Sequence, residues 1–586
     1  MRGGIQPSAR NRIYLLMARS RPRVSTGTDI VPYEGPRSMP DMVLGGAIEG
    51  ADRTKRETMS WQPSRLSPDQ AINTVKPEAD ARTTDLAVND GLSQHAIRIQ
   101  KNSIVGAQYR LNAKPDYRVI YGADTAAAQE YGEELAAVAE ARFNLAAESE
   151  NNYFDASGMM TFTDQVRLVV GSCALSGEAF GSSEWDDTDP TRPFKTNIQM
   201  IAPIRICNKD NMPDDDDAFG NKRRRGILMD RRNKPYAFEV RRGHPSEWYN
   251  ISADYWDTIE AAKPWGRKQM IFIRESLQID QTRGLSEMVA ALAHIRMTKK
   301  FSEVTLQNAV INASYAAAIE SELPSPEIIS AMGGGPEGLQ KALGTYMGML
   351  QAYLAGSENI AIDGAKVPQF FPGTKMKLTP MGTPGGIGSD FQASLIRHVA
   401  VALGVSPADL SRDFARVNYS GLKGELAIAE RDTLVHKKGW ADKWANSVYR
   451  LWFEEEMANG NLPLPPGRNR TDFYRPLMKD AYTRCTWIGA GRGQIDEPKE
   501  TAAALARIDG GLSTYEKEAA RLGEDYREII AQRAKEERQI KKAGIIFLRS
   551  AAQATLIAAD EAAQRAEADQ AANDAQPTDP NANQGN

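Results

Sequence analysis

The chain has 586 residues, 41% of them hydrophobic, and its 72 basic and 76 acidic side chains leave a formal net charge of −4. That length exceeds one hydrophobic core and predicts about two to four packed regions. A nearly balanced charge argues against a protein that clamps nucleic acid by neutralising its phosphates, although it permits weak and passing contact with DNA.

Cysteine content and hydropathy exclude further classes of protein. Three cysteines are too few and too scattered for a disulfide framework or a zinc site of ordinary spacing, which favours a reducing compartment. No run of the sequence approaches the ~18–20 uninterrupted apolar residues of a membrane-spanning helix. We therefore expect no membrane partner.

The two ends of the sequence carry no pattern of a packed core. Residues 1–25 hold six Arg and no acidic residue, and residues 1–60 are predicted to form a basic N-terminal arm. The arm is interpreted as disordered, as a segment that orders against neighbouring subunits or DNA, or as a transit peptide. Residues 553–586 are rich in Ala, Asp, Gln and Asn and are predicted to form a disordered tail.

Residues 61–282 change from helical to strand patterns. The stretch 85–110 predicts a helix followed by a strand, and short β-branched and aromatic runs predict strands over 197–273, with a hairpin at 226–237. The charged stretch 214–225 lacks the acidic spacing of a calcium-binding EF-hand loop. We therefore predict a solvated loop there and no metal site.

A long helix is predicted over residues 283–323. Its apolar side chains recur at helical spacing and form one stripe, made of Leu285, Met288, Val289, Leu292 and Ile295. Arg296, Lys299 and Lys300 lie off this stripe. About 35 residues of helix span roughly 50 Å, which suits a strut better than a core helix.

The region after this helix is punctuated by Gly and Pro. Residues 324–388 predict a small α/β module, and a second helix is predicted at 389–404. A loop and a long amphipathic helix are predicted over 405–459. Three tryptophans recur along this helix at spacings of four and eight residues, which indicates core packing: Trp440, Trp444 and Trp452.

Residues 497–552 predict a helical hairpin. Pro498 stands just before the first turn of one helical run, and Gly510-Gly511 separates that run from a second one. This hairpin closes the part of the chain that carries regular patterns.

A search for catalytic motifs finds none. The Gly-rich runs lack the Lys-Ser/Thr of a phosphate-binding loop, the five His never occur as HxxxH or HExxH, and no GxSxG is present. We therefore expect a protein that is not an enzyme and has no cofactor. A metal-dependent DNA-processing enzyme with dispersed carboxylates stays open as the alternative, since such ligands can be far apart in the chain.

Five collinear segments, within about residues 80 to 540, stand out: Arg82, Asp85, Leu86 and Asn89 followed by Asn102, Val105 and Gly106 in an expected strand; 176–180; 226–237; Asn418, Tyr419, Ser420 and Arg431; and Asp496, Pro498, Lys499, Glu500 and 511–514. In these residues and their order the chain resembles the lambda family of phage portal proteins. The chain departs from the family pattern at Gly421, at Lys423-Gly424 and by one residue inserted between Asp496 and Pro498.

The resemblance implies an α+β portal fold assembled as a ring of 12 subunits at one vertex of a capsid. Such a ring is the channel for double-stranded DNA during packaging and ejection. The implied partners are the terminase large subunit, the major capsid protein and a head-completion or tail adaptor protein. The implied location is the virion, with assembly in the bacterial host cytoplasm.

The order of parts in the family predicts how this chain is divided. The expected parts are the first part of the wing at 61–282, a stem helix at 283–323, the clip at 324–388, a second stem helix at 389–404, the tunnel loop and long wing helix at 405–459, the second part of the wing at 460–496 and crown helices at 497–552.

Two groups of residues are expected to face the DNA. The tunnel loop is placed at 411–420 and contributes Arg412, Arg416, Asn418, Tyr419 and Ser420; the stem contributes Arg296, Lys299 and Lys300. Each has a plain alternative, because Tyr419 is also compatible with a core position and the two Lys with a solvated helix face.

Overall fold

The computed structural model describes most of the chain between residues 58 and 544, except much of 316–386, and little of either end. The described residues are 23–26, 29–32, 56, 58–247, 249, 254–315, 340–341, 344–345, 347–348, 351, 360–362, 365–367, 387–415, 417–494 and 496–544. The chain divides into two compact units, Met1–Ser67 and Pro68–Asn586. In the first unit, β1 (Arg23–Thr26) pairs antiparallel with β2 (Asp29–Pro32).

The second unit opens with helices that alternate with one short strand. In chain order they are α1 (Pro68–Asn73), α2 (Lys76–Asn89), α3 (Gly91–Ile104), β3 (Arg110–Ala113), α4 (Tyr117–Tyr121), α5 (Ala126–Ala147) and α6 (Phe162–Ser176). The side chain of Asp90 caps α3 by accepting from Ser93 N, and Thr161 with Asp164 forms a capping box on α6.

The predicted strand at Asn102, Val105 and Gly106 is wrong. Asn102 lies inside α3, Val105 is its C-cap, and the strand β3 begins only at Arg110. The reason is burial at helical spacing: Ala96, Ile99 and Ile104 are all buried. The β-branched residues here pack one face of a helix.

Two antiparallel sheets follow α6. Strands β4 (Glu178–Trp185), β5 (Thr196–Ile201) and β11 (Met270–Arg274) form a three-stranded sheet with the order β11-β4-β5. The second sheet has the order β10-β9-β8-β7-β6, with the strands β6 (Asp215–Asp216), β7 (Lys222–Arg224), β8 (Ile227–Met229), β9 (Pro235–Arg241) and β10 (Trp256–Glu260). β8 and β9 form the expected hairpin, and Phe180, Phe238 and Phe272 pack between the sheets.

Two long helices pack against each other. The first, α7 (Met288–Tyr315), begins later than expected, because Arg283 and Gly284 are bound to β4 instead. The second, α8 (Ile387–Ala402), runs antiparallel to it, because His294 stacks on His398 at 5.5 Å and Phe301 meets Phe391 at 5.4 Å. Most of the predicted module at 324–388 lies outside the described residues, which there include the strand pair β12 (Ile360–Ile362) and β13 (Ala365–Val367).

A continuous helical rod follows the short α9 (Pro407–Ser411). It consists of α10 (Tyr419–His436), a π-helical turn (Lys437–Ala441) and α11 (Asp442–Asn459). No residue of α10 is buried, whereas α11 buries most of its length. Trp440, Trp444 and Trp452 are 0–1% exposed and belong to the largest hydrophobic core, as the spacing predicted.

The C-terminal part of the described chain contains α12 (Met478–Tyr482), β14 (Cys485–Ile488), α13 (Glu497–Asp509), α14 (Tyr515–Arg521) and α15 (Tyr526–Ala543). β14 pairs antiparallel with β3. The expected hairpin of two helices is wrong in one respect, because the second run is divided. Gly523 takes a left-handed φ of 82° and packs its backbone against Gly491, which ends α14 before α15 begins.

The mixed helical and sheet architecture confirms the predicted α+β class. Helices of the described ranges do not include one that is both long and apolar enough to cross a membrane. The predicted tail at 553–586 and most of the arm at 1–60 lie outside the described residues.

Candidate functional site

One hydrophobic cluster joins the two long helices to α3 and to α9, the short helix before the predicted tunnel loop. It contains residues of α3, α7, α8, α9 and the turn between α8 and α9: Ala96, Ile99, Met288, Ala291, Ile295, Val399, Ala400, Leu403, Val405 and Leu410. Because these elements share it, the base of the stem helices and the start of the loop are fixed to one another. We call this cluster the stem-base cluster.

The loop after α9 is held by its own backbone and short side chains. Ser406 caps α9 by accepting from Asp409 N, and its Oγ donates to Glu425 Oε2 at 2.9 Å. Ser411 Oγ donates to Pro407 O at 2.8 Å, and Asp413 Oδ1 accepts from Ala415 N at 3.1 Å. These bonds shape a defined loop with its side chains exposed.

Arg412 is anchored at the start of this loop. It takes a left-handed φ of 56°, which is uncommon for a residue with a side chain. Its guanidinium lies 3.3 Å from Asp409 Oδ1, and its Nε donates to His95 Nε2 at 3.2 Å. The Arg412 side chain is 64% exposed, so its charge is partly compensated by Asp409 and still open to solvent.

The other predicted loop residues lie at the entry to α10. Asn418 is the N-cap and accepts from Gly421 N at 2.7 Å, so its side chain serves the helix. Tyr419 is 51% exposed and Lys423 Nζ lies 5.9 Å from its ring centroid, which argues against the core position weighed for it. Ser420 is exposed, and Arg416 lies outside the described residues.

The three predicted stem cations all lie on the exposed side of α7. Lys299 Nζ donates to Asn89 O at 3.2 Å, at the C-terminal end of α2. Arg296 and Lys300 have no ion-pair partner among the described residues. The structure therefore brings Arg296, Lys299 and Lys300 to one exposed face of α7, the helix whose first turns belong to the stem-base cluster.

Sequence reasoning missed a buried ion cluster where the chain enters α7. The Arg283 guanidinium contacts both carboxylate oxygens of Glu178 and donates to three backbone carbonyls, those of Pro203, Ile206 and Arg225. Lys76 Nζ lies 3.2 Å from Glu178 Oε1. A sequence signal was present in the Arg-Gly pair before the helix, although it does not reveal burial.

Glycines make this close packing possible. A Cβ at Gly284 would lie 2.1 Å from Gly177 O, and Gly284 N donates to Glu178 Oε2 at 2.9 Å. Gly177 itself has a φ of 73°, in the left-handed region that glycine tolerates. The strand β4 and the entry to α7 are thus joined backbone to backbone.

Burial and charge together shift the pKa values of two acidic groups of this cluster in opposite directions. Burial raises the pKa of Glu178, but Arg283 and Lys76 outweigh it and hold the pKa below its ordinary value. Burial raises the pKa of Asp80 to about 6, and the Lys76 charge offsets only part of that effect. Asp80 therefore gains a proton more readily than an exposed carboxylate.

Within the described ranges, no group of His, Cys, Asp or Glu is arranged to hold a metal ion. The strongest polar clusters, around Glu178 and around Glu454, are closed by Arg, Lys and backbone partners. What the geometry offers chemically is a set of exposed cations beside a packed helical base, of which Arg412 is partly compensated by Asp409.

Comparisons with known proteins identify the family. A family model described as phage portal protein, lambda family, matches residues 54–436. Portal protein B of Escherichia phage lambda is 32% identical over 489 residues, which are 83% of this chain and 88% of that protein. The portal protein of Escherichia phage N15 is 30% identical over 487 residues, with the same coverage of each chain.

The chain belongs to the lambda family of phage portal proteins. The prediction of a portal protein is confirmed, and the alternative of a DNA-processing enzyme is not favoured. Family membership makes the virion its location. Among solved structures, the neck of a native gene transfer agent (GTA) particle covers 75% of this chain and 93% of its own at 12% identity, with a TM-score of 0.31 that adds no weight.

Proposed function

We propose that this chain assembles into a closed ring of 12 copies at one capsid vertex, and that the ring is the passage for double-stranded DNA during packaging and ejection. The observation that carries the proposal is the 32% identity to portal protein B of phage lambda over 83% of the chain. The long antiparallel pair α7 and α8, rooted in the stem-base cluster, supports it as the wall of such a passage.

The parts of the chain take the roles that the family order predicts. Residues 61–282 and 460–496 form the wing, 283–323 and 389–404 the stem, 324–388 the clip, and 497–552 the crown. The ring docks the terminase large subunit, the major capsid protein and a head-completion or tail adaptor protein. It assembles in the host cytoplasm and has no enzymatic activity of its own.

DNA contact falls to the loop 411–420 and to the cations of α7. Each phosphate contact by a free Lys or Arg adds a counterion-release contribution to the affinity and slows sliding. Arg412 already lies beside Asp409, which weakens its hold on phosphate. A partly neutralised loop suits a passage through which DNA moves in both directions.

The role of the loop is tested by the pair of substitutions Arg412→Ala and Arg416→Ala. We expect rings to form as in the native protein and DNA packaging to change, because Arg412 is exposed and lies outside the stem-base cluster. Ring formation is seen by negative-stain microscopy and packaging by the yield of filled heads. Loss of rings would contradict the assignment of the loop.

Backbone strain needs its own control in that experiment. Arg412 has a left-handed φ, which Asn tolerates better than Ala does. The variant Arg412→Asn with Arg416→Ala removes the same charges without that strain. Equal packaging defects in both variants would assign the effect to the charges.

The enzyme alternative has a direct test. Purified protein is incubated with double-stranded DNA and Mg²⁺ while its mass is measured by light scattering. We expect an inert particle of about twelve copies, the closed ring expected of identical subunits. DNA cleavage by a monomer would overturn the proposal.

A further inference from the structure

The first half of the long rod leaves one face without a partner. α10 has no buried residue, and it contains Gly421 and Gly424, each of which lowers helix stability by about 1 kcal/mol relative to Ala. Helices in proteins draw most of their stability from packing an apolar face. α10 therefore lacks, within one chain, the burial that a helix of its length ordinarily has.

The contacts that α10 makes within the chain leave one arc of the helix open. Glu425 accepts from Ser406, Glu430 lies 3.3 Å from Arg492, and Lys423 lies 3.8 Å from Glu500. These bonds tie the helix to α9 and to the region around α13. The side that carries Ile428 and Val435 lies between them and stays open.

The open side is apolar along its centre. Ile428 is 63% exposed and Val435 is 68% exposed, and they are seven residues apart, which places them on one line along the helix. Gly424 continues this line, and a Cβ there would meet nothing within 4 Å. Leu434, 56% exposed, widens the apolar strip at its C-terminal end.

Opposite charges flank this strip. Arg431 and Asp432 are both exposed, and neither has an ion-pair or hydrogen-bond partner among the described residues. Consecutive helical residues point about 100° apart, so the two charges lie on the two sides of the Ile428–Val435 line. One flank of α10 is thus positive and the other is negative.

This pattern fits a second copy of the chain better than DNA. One Arg and one Asp give the strip no net charge, so it offers phosphates no counterion release. In a head-to-tail ring, each copy uses two different flanks, one toward each neighbour. The positive flank of one copy then meets the negative flank of the next at every interface, and no charged flank is left unpaired.

We propose that α10 forms a subunit seam of the ring, with its Ile428–Val435 strip covered by the neighbouring copy and Arg431 facing Asp432 of that copy. The inference rests on the proposed ring and adds which helix face closes it. Burial of the strip supplies apolar contact, and the charge pair sets the direction in which copies join.

Charge reversal tests the seam in the full-length protein. Arg431→Asp and Asp432→Arg each place like charges together at every seam, so we expect the ring fraction to fall at least ~10-fold at equal concentration. The double variant Arg431→Asp/Asp432→Arg restores opposite charges, and rings should return to the native level. Mass photometry measures the ring fraction.

Controls separate the seam from the fold and from the proposed function. Glu133→Arg reverses an exposed charge on α5, and we expect it to leave the ring fraction unchanged. Thermal unfolding of each variant reports folding. If the native chain forms rings while both single variants assemble normally, or if the double variant stays unassembled, the seam is refuted and the ring stands. If the native chain forms no ring, the proposed function is contradicted, and so is the seam that rests on it.

Discussion

Arg283 links the segment that enters α7 to strand β4. Its guanidinium is fully buried, yet it contacts Glu178 and three carbonyl oxygens, so each donor direction is used. Removing one partner of such a pair leaves an uncompensated buried charge and commonly costs about 3–5 kcal/mol. The pair therefore holds the entry to α7 in place against β4.

Asp80 gives the same cluster a pH dependence. Its pKa in the folded protein is raised to about 6 from 3.8, so its contribution to stability is fully present below about pH 4 and is lost as pH rises through 6. Relative to Asp80→Asn, we expect the native protein to lose about 1–3 kcal/mol of unfolding free energy between pH 4 and pH 7. Urea denaturation at pH 4 and at pH 7 measures the unfolding free energy of both proteins.

A matched control isolates that effect. Asp85→Asn changes an exposed carboxylate on the same helix, α2. Its stability difference from the native protein serves as the baseline at each pH. A difference for Asp80→Asn that does not vary with pH would contradict the role assigned to burial.

Among the elements, the π-helical turn at Lys437–Ala441 separates an exposed helix from a largely buried one. After it, α11 packs into the aromatic core; before it, α10 is exposed. His436 stacks on Trp440 at 4.1 Å and lies 3.2 Å from Glu287, just before α7. A π-turn inserts an extra residue and re-aims its side chains. This one lets a single rod serve the core and the base of the stem.

Two buried tryptophans of the rod differ in whether the indole N–H is hydrogen-bonded. Trp440 Nε1 donates to Glu275 Oε2 at 2.8 Å, whereas Trp444 Nε1 is buried without a partner in the described structure. Both Trp→Phe changes lose similar volume, but only Trp440→Phe loses a hydrogen bond to a charged group. We expect Trp440→Phe to be more destabilising by about 1–2 kcal/mol. Chemical denaturation of the two variants compares them, and equal losses would count against the role of the Glu275 bond.

At the scale of the whole molecule, the hydrophobic cores of the described residues lie in the second compact unit. The three buried clusters found there are built from residues between 96 and 487. No described residue of the predicted basic arm at 1–60 belongs to them. Folding of the second unit should therefore be independent of the arm, whatever the arm does in the assembled ring.

Deletion of residues 1–60 tests that independence. We expect an unchanged unfolding temperature, because no cluster residue is removed. The same sample decides between the interpretations of the arm. A normal ring fraction by mass photometry fits an arm that is not needed for assembly, whereas loss of rings with normal unfolding fits an arm that orders against neighbouring subunits.

The sequence by itself determined the features that depend on local periodicity and on resemblance. The apolar stripe of α7, the tryptophan spacing of the rod and the β8–β9 hairpin were evident from residues close together in the chain, and the portal family was evident from the order of five short segments. These patterns are robust because helix and strand periods are set by local backbone geometry.

Tertiary structure decided what depends on distant partners. Residues Asn102 and Val105 became helical because Ile99 and Ile104 pack into cores built from far segments. Gly523 divides the last helices because it meets Gly491, and Arg283 is buried because Glu178 lies across from it. Such contacts join residues tens to hundreds of positions apart, so no local pattern specifies them.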